Sequence, residues 1–161
     1  MGAGILPVSI YKGEIYFLFG RESRHIDHKA SGLWSDFGGA KERKERRMDT
    51  AAREGWEETE GVLGSYEYIK HMVENRCVKR FNMKNYTSFV IPINYRKSFI
   101  KKHKYIYETA WKKTPELVLE ENGMYEKDRM KWFTVEELEK NIKKFRPWYR
   151  TIVKKIIKYY K

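Results

Sequence analysis

Three glutamates crowd one short stretch of this 161-residue chain: Glu54, Glu57 and Glu58, at positions i, i+3 and i+4. In a helix those positions share one face, so three like charges would lie side by side. Folding alone gains nothing from such crowding. A hard divalent cation such as Mg²⁺ or Mn²⁺, which takes carboxylate oxygens, turns the repulsion into binding. Asp49 or Thr50 can cap a helix that runs through Ala51, Ala52 and Trp56 to Thr59. The two alanines let that helix sit close to a sheet. Arg53 can pair with Glu45 across the loop-to-helix junction, and the Gly38-Gly39 pair allows close backbone approach, offering the Gly39 carbonyl as a further ligand. The plainer reading of the same charges is a solvated Glu-rich face.

The rest of the chain reads as one domain, residues 1–161, with strands and helices interleaved in an α/β (α+β) arrangement. Ile5 to Ile10 and Ile15 to Phe19 form a hairpin about the turn Tyr11-Lys12-Gly13-Glu14, the second strand being apolar on both faces. Glu22 to Gly32, with His25 and His28, is a surface loop, and Leu33 to Phe37 is a strand ending at Gly38-Gly39. Ser65 caps a helix containing Tyr68, Ile69, Met72 and Val73. Cys77 to Phe81 and Tyr86 to Tyr95 pair across residues 82–85, and Lys97 to Lys113 is basic, aromatic and helical in part. Met130 to Phe133 is the last strand, and Thr134 caps a helix over Val135 to Asn141. Pro147 suits the first turn of a final helix whose stripe is Trp148, Ile152, Ile156 and Tyr160, with Tyr149 and Val153 beside it. Such a helix packs on the sheet; lying on a membrane surface is the alternative.

The net charge is +12, and no acidic residue follows Glu139. A second basic run covers Arg96, Lys97, Lys101, Lys102, His103 and Lys104. That field suits a polyanion: RNA, a nucleotide, an inositol phosphate or an anionic membrane, unless the lysines only keep the surface soluble. Apolar residues make up 41% of the chain, enough for a core and against disorder. Cys77 is the only cysteine, which excludes an internal disulfide and a cysteine-based zinc site and points to a reducing, intracellular compartment. Neither a secretory leader nor a membrane-spanning run is expected, so the chain reads as soluble and cytoplasmic.

Spacing separates the metal-binding reading from the solvated face. Gly39, five residues, Glu45, seven residues, Arg53-Glu54, two residues and Glu57-Glu58 occur in order. This resembles the Nudix box, and six specified residues would coincide by chance on the order of once in 10⁷ starting positions. Phe17 to Arg21, Trp34-Ser-Asp-Phe-Gly-Gly39 and Lys131-Trp-Phe-Thr134 are similar to the family's surroundings. There are two departures. Gly55 stands where an apolar helix former is usual. Glu60 takes the place of the closing glycine, with Gly61 one residue late, so that the helix is expected to run one residue longer.

The resemblance implies the Nudix fold, a mixed sheet sandwiched between helices. It also implies a hydrolase of phosphoric anhydride bonds that depends on Mg²⁺ or Mn²⁺. It assigns Glu54, Glu57 and Glu58, with the Gly39 carbonyl, to the metal, one glutamate orienting or deprotonating water, with Arg53 and Glu45 in support. A further carboxylate from a later loop would come from Glu120, Glu121, Glu126 or Asp128, of which Glu126 is chosen for its place before the last strand. Arg21, at a strand end, is a candidate to hold a substrate phosphate or to salt-bridge elsewhere. His25 and His28 have metal-compatible spacing without other partners.

The substrate is less constrained. Long positive surfaces serve an enzyme that handles RNA more than one that clears small nucleotides. Tyr105, Tyr107 and Trp111, interleaved with lysines, are placed to stack bases or to join the core. The lean is to 5′-capped RNA with release of the cap nucleotide, as family members of large DNA viruses and eukaryotes do, which would place a viral chain in the host cytoplasm. Diphosphoinositol polyphosphates, dinucleoside polyphosphates and nucleotide sugars follow. A catalytically idle module binding RNA or protein is the reading of another class.

Overall fold

The computed structural model describes residues 1–120 and 123–161. Its sheet is mixed and seven-stranded: β1 (Gly2–Tyr11), β2 (Glu14–Glu22), β3 (Trp34–Ser35), β4 (Phe37–Ala40), β5 (Lys79–Met83), β6 (Tyr86–Pro92) and β7 (Lys127–Thr134). Around it lie α1 (Arg47–Glu58), α2 (Tyr66–Asn75), α3 (Lys97–Lys113), α4 (Pro115–Leu119), α5 (Val135–Asn141) and α6 (Arg150–Tyr160).

β1 runs parallel to β6 along one edge. On its other edge, Val8–Tyr11 pair antiparallel with β2, but Gly2–Ile5 pair with β4. β2 likewise leaves β1 after Phe17, its Gly20 and Arg21 pairing with β3 and its far edge with β7. The two central strands therefore diverge, and β3 and β4 fill the wedge between them.

The strands bury both faces, because successive residues point to opposite sides. In β2, Phe17 and Phe19 join Leu6, Val90, Phe133, Ile152, Val153 and Ile156 on one side. Leu18 joins Ile5, Ala51, Ala52, Phe89 and Trp132 on the other. Helix α6 covers the first face, and α1 and α2 cover the second. Ile152, Val153 and Ile156 are fully buried, each worth roughly 1.5–3 kcal/mol of transfer from water. Gly55 is explained by the second layer: a Cβ there would lie 2.6 Å from Ile5 Cδ1 and 2.7 Å from Cγ1. The weak helix former lets α1 settle onto β1.

Several boundaries differ from the sequence reading. Helix α1 begins at Arg47, because Asp49 sits inside the first turn and its carboxylate accepts the Arg46 backbone N–H at 2.9 Å, while the Thr50 hydroxyl donates to Glu45 at 2.7 Å. The helix ends at Glu58, not one residue later. Gly61 N–H reaches the Trp56 carbonyl and Glu60 N–H the Glu57 carbonyl, a Schellman closure in which Glu60 itself takes the left-handed conformation (φ 55°). The strand at 33–37 divides about Asp36, whose side chain is engaged below the sheet, and continues through Gly38 and Gly39 instead of stopping there. β1 starts at Gly2, since its first residues pair with β4 and β6. β5 starts at Lys79 and β6 stops at Pro92, which has no N–H to donate. Glu22 belongs to β2 and Asp128 to β7. α3 is helical throughout. Pro147 and Trp148 lie in a turn before α6; Tyr149 takes the buried position and Trp148 is 38% exposed.

Candidate active site

On the exposed side of the box, one guanidinium sits among four carboxylates. Arg53 donates to Glu45 (2.6 and 3.2 Å), Glu54 (2.8 Å) and Glu57 (3.3 Å), approaches Glu42 at 3.7 Å, and binds the Ala40 carbonyl at 3.0 Å. The Arg53 hydrogen bond holds Glu45 well down, at about 2. Glu54 moves the other way. Burial raises it to about 7, Arg53 opposing and Glu57 and Glu126 adding to the rise. Glu57 is raised as well, by burial first. Gly39 lies directly over Glu54: a Cβ there would meet its carboxyl carbon at 2.6 Å.

On the inner side, Glu58 is 2% exposed and accepts the Gly38 N–H at 2.8 Å. Its counter-charge is Lys127 of β7, fully buried, with Nζ 3.8 Å away. The same ammonium donates to Glu22 at 2.6 Å and to the Ser35 hydroxyl at 2.8 Å. Burial alone would pull Lys127 down, but Glu22 and Glu58 outweigh it and hold the ammonium above its ordinary value. Glu58 is pushed well up by burial, against Lys127, with Glu22, Glu126 and Glu54 pushing further.

The divergence of β1 and β2 places these groups together. A cavity of about 230 Å³ opens there, lined by Glu22, Ser23, Ile26, His28, Ser31, Gly38, Gly39, Glu58, Glu126 and Arg146. Glu126 comes from the loop before β7 and accepts Gly123 N–H at 3.2 Å. Its charge raises Glu54, Glu57, Glu58 and Glu60 alike. All its donors being oxygens, crowded and partly desolvated, the set fits a hard divalent ion. Among the described residues no three acidic, histidine or cysteine side chains already close into a metal cage, and Arg53 stands between Glu54 and Glu57.

Below the cavity, Asp36 is 1% exposed and accepts from the Tyr86 hydroxyl (2.7 Å) and the Ser88 hydroxyl (2.6 Å), with Tyr149 Oη 3.2 Å from Ser88. Burial lifts Asp36 to about 6 against those bonds. Tyr86 packs so tightly that any side chain at Gly38 would overlap its hydroxyl. The network therefore fixes the strand whose Gly38 N–H orients Glu58.

Glu45, Arg53, Glu54, Glu57, Glu58, Gly39 and Glu126 are thus brought together. Arg21 is elsewhere, bound to Asp128 at 2.8 Å with Arg24 beside it. His25 and His28 part: His25 stacks on Trp111 with ring centroids 3.7 Å apart, and His28 Nδ1 accepts Ala30 N–H. Tyr107 is buried, while Tyr105 is 70% exposed. Glu120 is exposed, and Glu121 lies outside the described residues. Sequence reasoning missed Glu22, Lys127, Asp36 and Arg146. The motif does not reach them, and Lys127, set among Glu126, Asp128 and Arg129, carries no local sign of burial.

Backbone glycines and clustered carboxylates thus meet at one cleft of a mixed sheet flanked by helices. The chain belongs to the NUDIX domain family, whose model matches residues 2–156. In fold it is similar to an Ap4A hydrolase of C. elegans in a binary complex (TM-score 0.56, 16% identity, 99% of this chain and 97% of that one). The NUDIX domain of NrtR from Shewanella oneidensis, complexed with ADP ribose, gives a TM-score of 0.54 at 12% identity over 99% and 87%. An uncharacterised protein of Acanthamoeba polyphaga mimivirus is 48% identical over 58 residues, 35% of this chain and 18% of that protein. The chain thus spans about a fifth of that viral relative. Among the described residues no helix is long and apolar enough to cross a membrane.

Proposed function

We propose that residues 1–161 act as one domain, a cytoplasmic, divalent-metal-dependent pyrophosphohydrolase of a nucleoside-diphosphate-linked substrate, with 5′-capped RNA the favoured one. The observation that carries the reaction is that Glu58 and Glu126 line one glycine-backed cavity, with Glu54 packed against its Gly39 and tied to Glu57 through Arg53. Glu54, Glu57, Glu58, Glu126 and the Gly39 carbonyl hold Mg²⁺ or Mn²⁺. When bound, the ion supplies charge screening and activation of water. One of the glutamates orients that water and takes its proton; Arg53 and Glu45 fix the glutamates before the ion arrives. Water oxygen bonds to phosphorus, the anhydride P–O bond breaks, and two phosphate-ended products leave.

The lean to RNA is supported by charge. Lys101, Lys102 and Lys104 on α3 and Lys154, Lys155 and Lys158 on α6 are exposed, so they are available to a phosphate backbone. Dinucleoside polyphosphates, diphosphoinositol polyphosphates and nucleotide sugars are the alternative substrates of the same site. The intact carboxylate set speaks against an idle binding module.

The test is release of labelled nucleotide from cap-radiolabelled RNA with Mg²⁺ or Mn²⁺, comparing wild type with Glu57→Gln. Metal-dependent release of a nucleoside diphosphate, reduced at least ~100-fold in the variant, is expected. Turnover of Ap4A or ADP-ribose without release from RNA would move the substrate. No turnover of any diphosphate, with metal-indifferent RNA binding, would leave the module.

A further inference from the structure

One partly exposed aromatic, Trp148, lies beside the one arginine among the residues that line the carboxylate cavity. Arg146 lines the cavity with Glu58, Glu126, Gly38 and Gly39. Its Nη1 donates to Glu22 at 3.2 Å, the one side-chain hydrogen bond of that guanidinium among the described residues, which leaves most of its five N–H donors available. The guanidinium carbon lies 5.4 Å from the centroid of the Trp148 ring. Trp148 is 38% exposed and held edge-on against Tyr86 (centroids 4.8 Å, planes 65°).

The backbone that carries this pair is clamped. Arg146 N–H donates to the Trp34 carbonyl at 2.9 Å, Tyr149 N–H to the Arg146 carbonyl at 2.9 Å, and Phe145 and Tyr149 on either side are fully buried. An indole of this size is left in solvent on a rigid turn instead of joining the core, although Tyr149 beside it does join. Its ring contacts are edge-on, to Tyr86 and Tyr149, with the Arg146 guanidinium beside its ring. A diphosphate resting on the glutamates would find the guanidinium next and the indole one side chain beyond. A guanidinium suits a phosphate, and a flat, electron-rich ring suits a nucleobase.

We propose that Arg146 and Trp148 form the nucleotide subsite of this cavity. Arg146 takes the phosphate on the nucleoside side, and Trp148 stacks the base. The inference rests on the hydrolase reading above and adds which end of the substrate lies where.

The test uses two non-cleavable probes in Mg²⁺: methylene-bridged ADP and methylenediphosphonate, which lacks the nucleoside. Binding is measured by calorimetry, and for the nucleotide also by quenching of tryptophan emission. Trp148→Ala is expected to weaken the nucleotide analogue about tenfold, as loss of one base stack does. The same variant should hold methylenediphosphonate as wild type does, which also shows that the fold survives. Trp148→Phe should retain most of the affinity, and Arg146→Gln should weaken both probes. If wild type binds the two probes equally, or Trp148→Ala weakens both alike or neither, the subsite does not exist. The hydrolase reading is judged separately by Glu57→Gln turnover. Base-dependent binding through Trp148 without any turnover would sink that reading and leave the subsite, and turnover without it would do the reverse.

Discussion

Two cations hold this site, and they are built differently. Arg53 lies on the same helix as Glu54 and Glu57, is partly exposed, and shares its donors among carboxylates that solvent also reaches. Lys127 comes from β7, is fully buried, and is enclosed by Glu22, Ser35 and Glu58. A buried charge without a partner is far more costly than an exposed one, so folding is expected to depend on the inner cation much more than on the outer one. The comparison can be broken by removing each in turn. Lys127→Met leaves Glu58 without its counter-charge and Glu22 with Arg146 alone, and should cost about 3–5 kcal/mol. For a chain of this size that lowers Tm by roughly 10 °C or more, measured by scanning calorimetry. Mg²⁺ should restore little of it, because Glu22 has lost its 2.6 Å partner.

Two of the acids around Arg53 should titrate in opposite senses. Glu45, held at about 2 by Arg53, contributes stability above pH 4.5 that is lost as pH falls through 2. Glu54, raised from 4.5 to about 7 by burial, binds its proton more tightly folded than unfolded. Its ionisation therefore removes stability as pH rises from 4.5 through 7, on the order of 3 kcal/mol for the metal-free chain. Tm of metal-free protein should fall over that window and level off above it. Added Mg²⁺ should raise Tm most above pH 7, since the ion needs the ionised carboxylate. A metal-free Tm that climbs from pH 5 to 7.5 would mean that Glu54 is solvated.

The outer half of this comparison was legible in the sequence. Arg53, Glu54 and Glu57 are set by helical spacing, and Glu45 by the loop that precedes it, so position alone implied their contacts. Sheet faces were legible too, because Phe17, Leu18 and Phe19 had to serve two layers. The inner half was not. Lys127 meets Glu22 and Glu58 only because β2, β7 and α1 converge where β1 and β2 diverge, and no local pattern encodes that wedge. Asp36 was read only as part of the strand at 33–37, because its partners Tyr86 and Ser88 lie on β6, some fifty residues further along the chain. Trp148 was assigned to an apolar stripe on spacing, and only the turn at Arg146–Tyr149 shows that Tyr149 holds the inward place.

Arg53→Gln sharpens the contrast. Glu54 and Glu57 lose a shared donor, yet both remain within reach of water and of a metal ion. The expected loss is about 1–2 kcal/mol without metal and under about 1 kcal/mol in saturating Mg²⁺, the ion taking over the counter-charge. Thermal scans of Arg53→Gln and Lys127→Met with and without Mg²⁺ distinguish the two: rescue of the first and not the second is the signature. Equal rescue would mean that Lys127, like Arg53, merely stands in for the metal.

A further, half-buried acid has no ion pair among the described residues. Glu60 takes the left-handed conformation that glycine fills at no cost, and burial raises it to about 7. Its Oε1 accepts Tyr125 N–H, while Oε2 has no hydrogen-bond partner among the described residues. Here a backbone N–H does what Arg53 and Lys127 do for the others, tying the end of α1 to the loop that carries Glu126. Glu60→Ala keeps the unfavourable φ and loses the tie, so it should cost about 1 kcal/mol. Glu60→Gly loses the same tie but relieves the backbone, and should lie closer to wild type in urea midpoint. Both should weaken Mg²⁺ binding, because the Glu126 loop is no longer fastened to the helix. If Glu60→Gly is the less stable of the two, the left-handed turn is not what Glu60 strains. If neither variant changes Mg²⁺ affinity, Glu126 is held in place without it.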